Sequence, residues 1–394
     1  MRGWLAAAAI VLSAGLDPAW GFAAAPRESG TSWTPSALQA GVPAPGADRL
    51  ADLRARAERG DAAAQLSLGL AYAVGQGVAR DYARAAAWYR KAAEQGNALA
   101  QLNLGWCFAL GQGVTRDLAQ AADWYSRAAM QGEPVAQVRL AAFYASGDGV
   151  ARDETAAVRW YRKAAEQGEP TAQFNLGLAL AEGRGVDVDA AQAVLWLRKA
   201  AERGHAGAQV VLGTMYEEGR RVAQDFVEAA AWYERAAGQD DVAAQLKLAA
   251  CYESGRGVAK DFARAVTWYR RAAAQGNARA QSNLGFAYAN GVGVGRDYAQ
   301  AADWYRKAAD QGDPGSQFEL GELYQRGLGV SQNAVEAYRW LGLAALRAQA
   351  GADRTFFAAA RDQIAERMSA GELAEARRLL TEWMNAFERR SGGK

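Results

Sequence analysis

The 394-residue chain holds one histidine, two cysteines and eight prolines, and its 45 Lys plus Arg almost balance its 43 Asp plus Glu. Each shortage removes a class of function. A single histidine, His205, leaves no clustered ligand set for zinc, and a Ser-His-Asp or Cys-His device would have to be built on that one ring. No metal, cofactor or catalytic residue is expected. The net charge of +2 supplies no basic excess for nucleic-acid phosphates and no polybasic cluster for a lipid surface. With 51% hydrophobic and 22% charged residues, the chain is not of the disordered class.

The first residues read as an export signal. Arg2 precedes the twelve-residue apolar run Leu5 to Leu16, and Asp17-Pro18 and then Gly21 and Ala23 follow, small residues suited to a cut after Ala23. The run falls short of the roughly 20 residues of a membrane span, so a retained anchor is the weaker reading. No cysteine near the cut allows lipid attachment there. Residues 24–47 contain Pro26, Pro35, Pro43 and Pro45 and read as a flexible linker. A periplasmic or secreted protein is expected, with no membrane insertion after signal cleavage.

One unit of 36 residues is then written eight times across residues 61–348. Gln65, Gln101, Gln137, Gln173, Gln209, Gln245, Gln281 and Gln317 keep that step without insertion or deletion, as do the columns from Leu68 to Leu320 and Trp88 to Trp340. Each unit reads as a helix pair. Helix A starts after a column formed by Asp61, Asn97, Glu133, Glu169, His205, Asp241, Asn277 and Asp313, of which the Asp and Asn members are strong N-caps. It ends at a glycine loop such as Gly75-Gln76-Gly77-Val78, and a second Asp/Asn column from Asp81 to Asn333 caps helix B. In the first helix B, Ala85, Trp88, Tyr89, Ala92 and Ala93 share one apolar face.

Such a unit cannot cover its own apolar face, so neighbours must stack. The spacing predicts an all-α, α/α solenoid of eight helix-turn-helix repeats. Residues 48–60 read as a capping half-repeat, in which Leu53 and Ala57 match Tyr89 and Ala93, and residues 349–394 as C-terminal capping helices, over 361–367 and 372–389, and a tail. Cys107 and Cys251 lie four units apart in one apolar column and read as buried residues rather than a bonded pair.

The recurring Ala64-Gln65, Leu68-Gly69, Tyr72, Gly75-Gln76-Gly77-Val78, Asp81, Ala85, Trp88-Tyr89 and Lys91 to Gly96 resemble the Sel1-like repeat (SLR), a relative of the tetratricopeptide repeat. The resemblance implies a right-handed superhelical scaffold that binds proteins or peptides, often in the bacterial envelope, and it implies no catalytic activity. The chain departs from the pattern at Arg221, Ala141, Ala249, Asp240, Leu197 and Leu341, none of which breaks the register.

Counted from the repeat glutamine as position 0, positions +3, +4 and +7 share its face of helix A, whereas −2, +2, +5 and +9 lie opposite and vary most. In tetratricopeptide relatives that opposite face lines the concave groove. The +2 column supplies Asn103, Arg139, Asn175, Lys247 and Asn283, amides and cations suited to a peptide backbone or carboxylate; the +5 column supplies the anchors Trp106 and Phe286. These seven are the candidate partner-binding residues. The favoured expectation is a non-enzymatic scaffold for a protein or peptide; the alternative is a peptidoglycan or glycan-binding protein that stacks Trp106 and Phe286 on sugars. Glu182 and Glu218, with Glu217 beside them, read as ion pairs with Arg184, Arg220 and Arg221 rather than as a hydrolase dyad. His205 reads as a surface residue at a helix start.

Overall fold

The structure is a computed structural model that describes residues 47–391; the expected signal peptide and the linker up to residue 46 lie outside the described residues. Those described form nineteen α-helices and no strand. The chain divides into two compact units, Met1–Ala208 and Gln209–Lys394. In the first, α1 (Ala47–Glu58) is followed by the A and B helices of four repeats: α2 (Ala62–Val74) and α3 (Tyr82–Glu94), α4 (Ala98–Leu110) and α5 (Leu118–Met130), α6 (Pro134–Ser146) and α7 (Glu154–Glu166), α8 (Pro170–Glu182) and α9 (Ala190–Glu202). The chain enters the second unit along α10 (Ala206–Glu218) and continues through α11 (Phe226–Ala237), α12 (Val242–Ser254), α13 (Phe262–Ala274), α14 (Ala278–Asn290), α15 (Tyr298–Asp310), α16 (Pro314–Arg326) and α17 (Ala334–Arg347). Two helices follow the repeats, α18 (Ala352–Ala365) and α19 (Ala370–Ser391). The first begins before the expected 361, because Phe357 stacks on Phe318 at 4.8 Å and so draws the chain from 352 onward into helix.

Helix boundaries follow the capping columns. Asn97 accepts from the Ala100 amide at 2.9 Å and Asp117 from Gln120 at 3.0 Å, so orphan N–H groups at both helix starts are satisfied. The A helices close on glycines in the left-handed conformation, such as Gly111 at φ 71°. Two departures keep that conformation without glycine: Arg221 at φ 60° and Asp240 at φ 62°.

The repeat glutamine is a strut. Gln101 Nε2 donates to the Ala93 carbonyl at 3.1 Å while Gln101 Oε1 accepts from Gln131 Nε2 at 2.7 Å, so one buried amide joins three helices. The same pair of bonds recurs at Gln65, Gln137 and, in the second unit, Gln281. Where both bonds form, an apolar residue in this column would strand a buried carbonyl and lose the tie to the next helix end; at Gln173 and Gln317 the Nε2 bond to the carbonyl is kept and Oε1 accepts none. Each A helix also meets its partner closely. A Cβ on Gly105 would stand 2.7 Å from the Tyr125 ring, and one on Gly285 2.5 Å from Tyr305. Leu104 and Leu284 are fully buried beside these contacts, each worth about 2–5 kcal/mol against truncation.

The tryptophan column is less uniformly core than its spacing suggests. Trp124, Trp232 and Trp340 are buried, but Trp88, Trp160, Trp196, Trp268 and Trp304 are half-exposed. A cation three residues on covers the outer ring face, as Lys91 does over Trp88 at 4.1 Å and Arg271 over Trp268 at 4.7 Å.

Candidate partner-binding face

The A-helix face opposite the glutamine is graded rather than uniformly solvated. Its −2 and +9 margins are mostly exposed, with Leu99 at 39% and Leu110 at 50%, while most of the +2 and +5 columns is buried or half-buried. Asn103 and Asn175 are therefore buried, and each turns its amide inward to its own helix: Asn103 Nδ2 donates to the Leu99 carbonyl at 2.8 Å and Asn175 Nδ2 to Thr171 at 2.9 Å. Self-bonding of this i to i−4 kind is the local choice open to a short amide on a helix.

In the first unit the structure brings Arg139 onto Trp106, its guanidinium 4.4 Å from the ring centroid. This joins the +5 position of one repeat to the +2 position of the next. Arg184, in the loop after α8, pairs with Glu182 at 2.6 Å. His205 is not simply a surface residue: its ring stacks on Phe174 at 4.5 Å, and its Nδ1 accepts the Ala208 amide at 3.1 Å. Stacking buries the ring, and burial holds its pKa below the ordinary histidine value.

In the second unit, Lys247 Nζ donates to Glu217 Oε2 at 2.7 Å, and the Tyr233 hydroxyl donates to the same oxygen at 2.7 Å. Burial works to raise the Glu217 pKa, but these bonds and the Lys247 charge outweigh it and hold the carboxyl below its ordinary value. One repeat later the Tyr269 hydroxyl donates to Glu253 at 2.7 Å, and the Asn283 side chain hydrogen-bonds that same tyrosine. Phe286 is 52% exposed. Glu319, at +2 of the last repeat, is pushed up to about 7 by burial and by the neighbouring Glu322 charge.

Sequence reasoning named Lys247 and Asn283 but not Tyr233, Tyr269 or Glu253, and it read Glu217 with the loop arginines rather than with Lys247. Glu217 and Glu253 stand at +8, a column otherwise made of alanine and one glutamine, and those two carboxylates among small residues were the available signal. Arg220 and Glu218 form the expected exposed pair at 2.8 Å. Burial pushes the Cys107 thiol up to about 12 and that of Cys251 up to about 11, so neither is a nucleophile at neutral pH. Among the described residues no group of three or more His, Cys, Asp or Glu is arranged for a metal ion, and no helix is long and apolar enough to cross a membrane.

Consecutive helix pairs of constant length, joined by buried amide struts and presenting one varied face, define an α/α repeat protein. The Sel1 repeat model matches eight times in succession, over residues 62–97, 98–133, 134–169, 170–205, 206–241, 242–277, 278–313 and 314–348. The chain belongs to the Sel1 repeat family. Among solved structures it is similar to c5321, a protective antigen of uropathogenic Escherichia coli with an SLR fold, at 37% identity over 88% of this chain and 74% of that one, TM-score 0.70. It is also similar to a Sel1 repeat protein from Oxalobacter formigenes, at 37% identity over 79% of this chain and 89% of that one, TM-score 0.56. A search of curated proteins finds no match. Proteins of this family are typically non-catalytic protein-interaction scaffolds.

Proposed function

We propose that this chain is a non-enzymatic scaffold of the bacterial envelope that holds a protein or peptide segment on the varied face of its A helices. One observation carries the reading: the glutamine, leucine and glycine positions repeat and are buried, whereas the opposite face of the same helices changes from repeat to repeat and is where the family's concave groove is expected. A selected framework with a varied face is the pattern of a recognition surface. Export is supported by the signal-like order of residues 1–23 and by the similar Escherichia coli protein being a protective antigen. The glycan reading loses ground at Trp106, whose ring Arg139 covers, and keeps a foothold at the exposed ring of Phe286.

The test is a pull-down from native envelope extract with the mature protein and with the combined Asn103→Ala, Trp106→Ala, Asn283→Ala and Phe286→Ala variant. A partner retained by the first and lost by an equally helical variant supports the face. Retention by both overturns it, and retention of glycan alone favours the alternative.

A further inference from the structure

Two repeats carry an aromatic ring at +5 of the A-helix face, and the chain treats the two rings differently. In the first unit Trp106 is met by Arg139 from +2 of the next repeat, whose guanidinium lies 4.4 Å from the ring centroid. In the second unit the same two positions, in repeats 7 and 8, hold Phe286 and Glu319. Helices α14 and α16, which carry them, meet directly, so ring and carboxylate belong to one surface. The residue beside the ring has changed sign, and the ring is open: Phe286 is 52% exposed, and among the described residues no cation or second ring lies on it.

Glu319 does not stand alone. Glu322, at +5 of the same helix, is close enough for its charge to add to burial in raising the Glu319 pKa. Among the described residues neither carboxylate makes a hydrogen bond or an ion pair. The charge of Arg326 opposes the rise at both without pairing with either, and that of Arg279 acts on Glu253 and Tyr269 of repeat 6. Glu217, by contrast, holds Lys247 and Tyr233. Both Glu319 and Glu322 are half-buried rather than closed off, so a ligand reaches them from the same side as the ring. Two unpaired acids in that setting cost the free chain stability, a cost that an incoming cation removes. A planar cation suits both halves of the surface: a guanidinium stacks by its face on an aromatic ring and donates from its edge to a carboxylate, whereas an ammonium is a point charge.

We propose that the A-helix face of repeats 7 and 8 receives an arginine side chain of the partner, its guanidinium stacked on Phe286 and paired with Glu319 and Glu322, in the manner in which Arg139 lies on Trp106 within the chain. This rests on the proposed binding role of the A-helix face and names the chemistry of its partner.

The probe is fluorescein-labelled hexaarginine with both ends blocked, titrated against the full chain by anisotropy at pH 8, where Glu319 is ionised. Binding is expected; Glu319→Gln weakens it by about tenfold or more, and Phe286→Ala by about threefold or more. Glu319→Arg gives the ring a guanidinium from the chain itself and abolishes binding. The control Asp310→Asn, exposed on α15, leaves it unchanged, and blocked hexacitrulline, which keeps the planar head without its charge, does not bind. Hexalysine bound as tightly as hexaarginine overturns the guanidinium assignment. Glu319→Gln keeps the shape of the side chain and carries the test should another variant lose helicity. No hexaarginine binding, or binding equal in the native chain and in Glu319→Gln, overturns the inference. If the envelope partner is lost from the four-residue A-face variant while hexaarginine fails to bind, the face stands and only this inference falls. If hexaarginine binds as stated while the A-face variant keeps the partner, the reverse holds.

Discussion

Repeat 3 in the first unit and repeats 5 and 6 in the second use the same backbone frame and the same tyrosine, yet they treat the A-helix face differently. Glu217 and Glu253 accept the Tyr233 and Tyr269 hydroxyls, whereas in repeat 3 the same column holds Ala145, and Arg139 lies over Trp106. The difference shows that the frame and the varied face are written in separate columns. The glutamine strut and the buried leucine hold the repeat; the +2, +5 and +8 residues change their partners from one repeat to the next.

If the frame is common to both units, Leu104→Ala and Leu284→Ala, each truncating a fully buried side chain, cost about 2–5 kcal/mol apiece in urea unfolding. A gap of more than about 2 kcal/mol between them would break the comparison at its base.

A smaller effect separates two carboxylates of the second unit. Glu319 has its pKa raised from 4.5 to about 7, so the folded chain binds the extra proton between those values and stability falls as pH rises through that window. Glu319→Gln removes the fall: it is near neutral at pH 4 and stabilising by up to about 3 kcal/mol at pH 8. Glu217 has the opposite sign, since its contribution is present above the unfolded value of 4.5 and is lost as pH falls through the depressed folded value. Glu217→Gln therefore costs about 1–3 kcal/mol at pH 7 and less in acid. Parallel pH profiles for the two variants would contradict the distinction between a paired and an unpaired carboxylate.

The first unit has its own titrating group. With the folded pKa of His205 below the ordinary 6.5, its cap on the Ala208 amide is present above that value and is lost as pH falls through the depressed one, because a protonated Nδ1 cannot accept. The loss is about 1 kcal/mol, and His205→Asp removes this dependence in thermal melts from pH 7.5 to 5. The smallest effect lies at the loops. Arg221→Gly relieves a left-handed residue and stabilises by about 1 kcal/mol, whereas Gly257→Ala, whose Cβ would stand 1.8 Å from the Phe226 carbonyl, destabilises.

The period, the caps and the buried columns were legible because each repeats eight times and has a local cause: an Asp before a helix, a glycine after it, an apolar face at 3.6 spacing. The glutamine was visible as a column but its strut role was not, since the acceptor and donor come from residues 8 and 30 positions away. The face was half legible. Helical angles place Asn103 and Asn175 opposite the core, but they cannot show that both side chains are buried and that the amides bond their own backbone. Glu217 was read with the loop arginines rather than with Lys247 and Tyr233 for the same reason, because its partners come from α11 and α12.

The central claim is that binding occurs on the A-helix face. The direct measurement places a photo-crosslinking residue at Ser146, exposed at +9 of α6, or at Arg162, exposed on α7, in the full chain in its native cell. Adducts with a partner protein at Ser146 and none at Arg162 are the result this account expects. Adducts at Arg162 alone would contradict it and move recognition to the B helices.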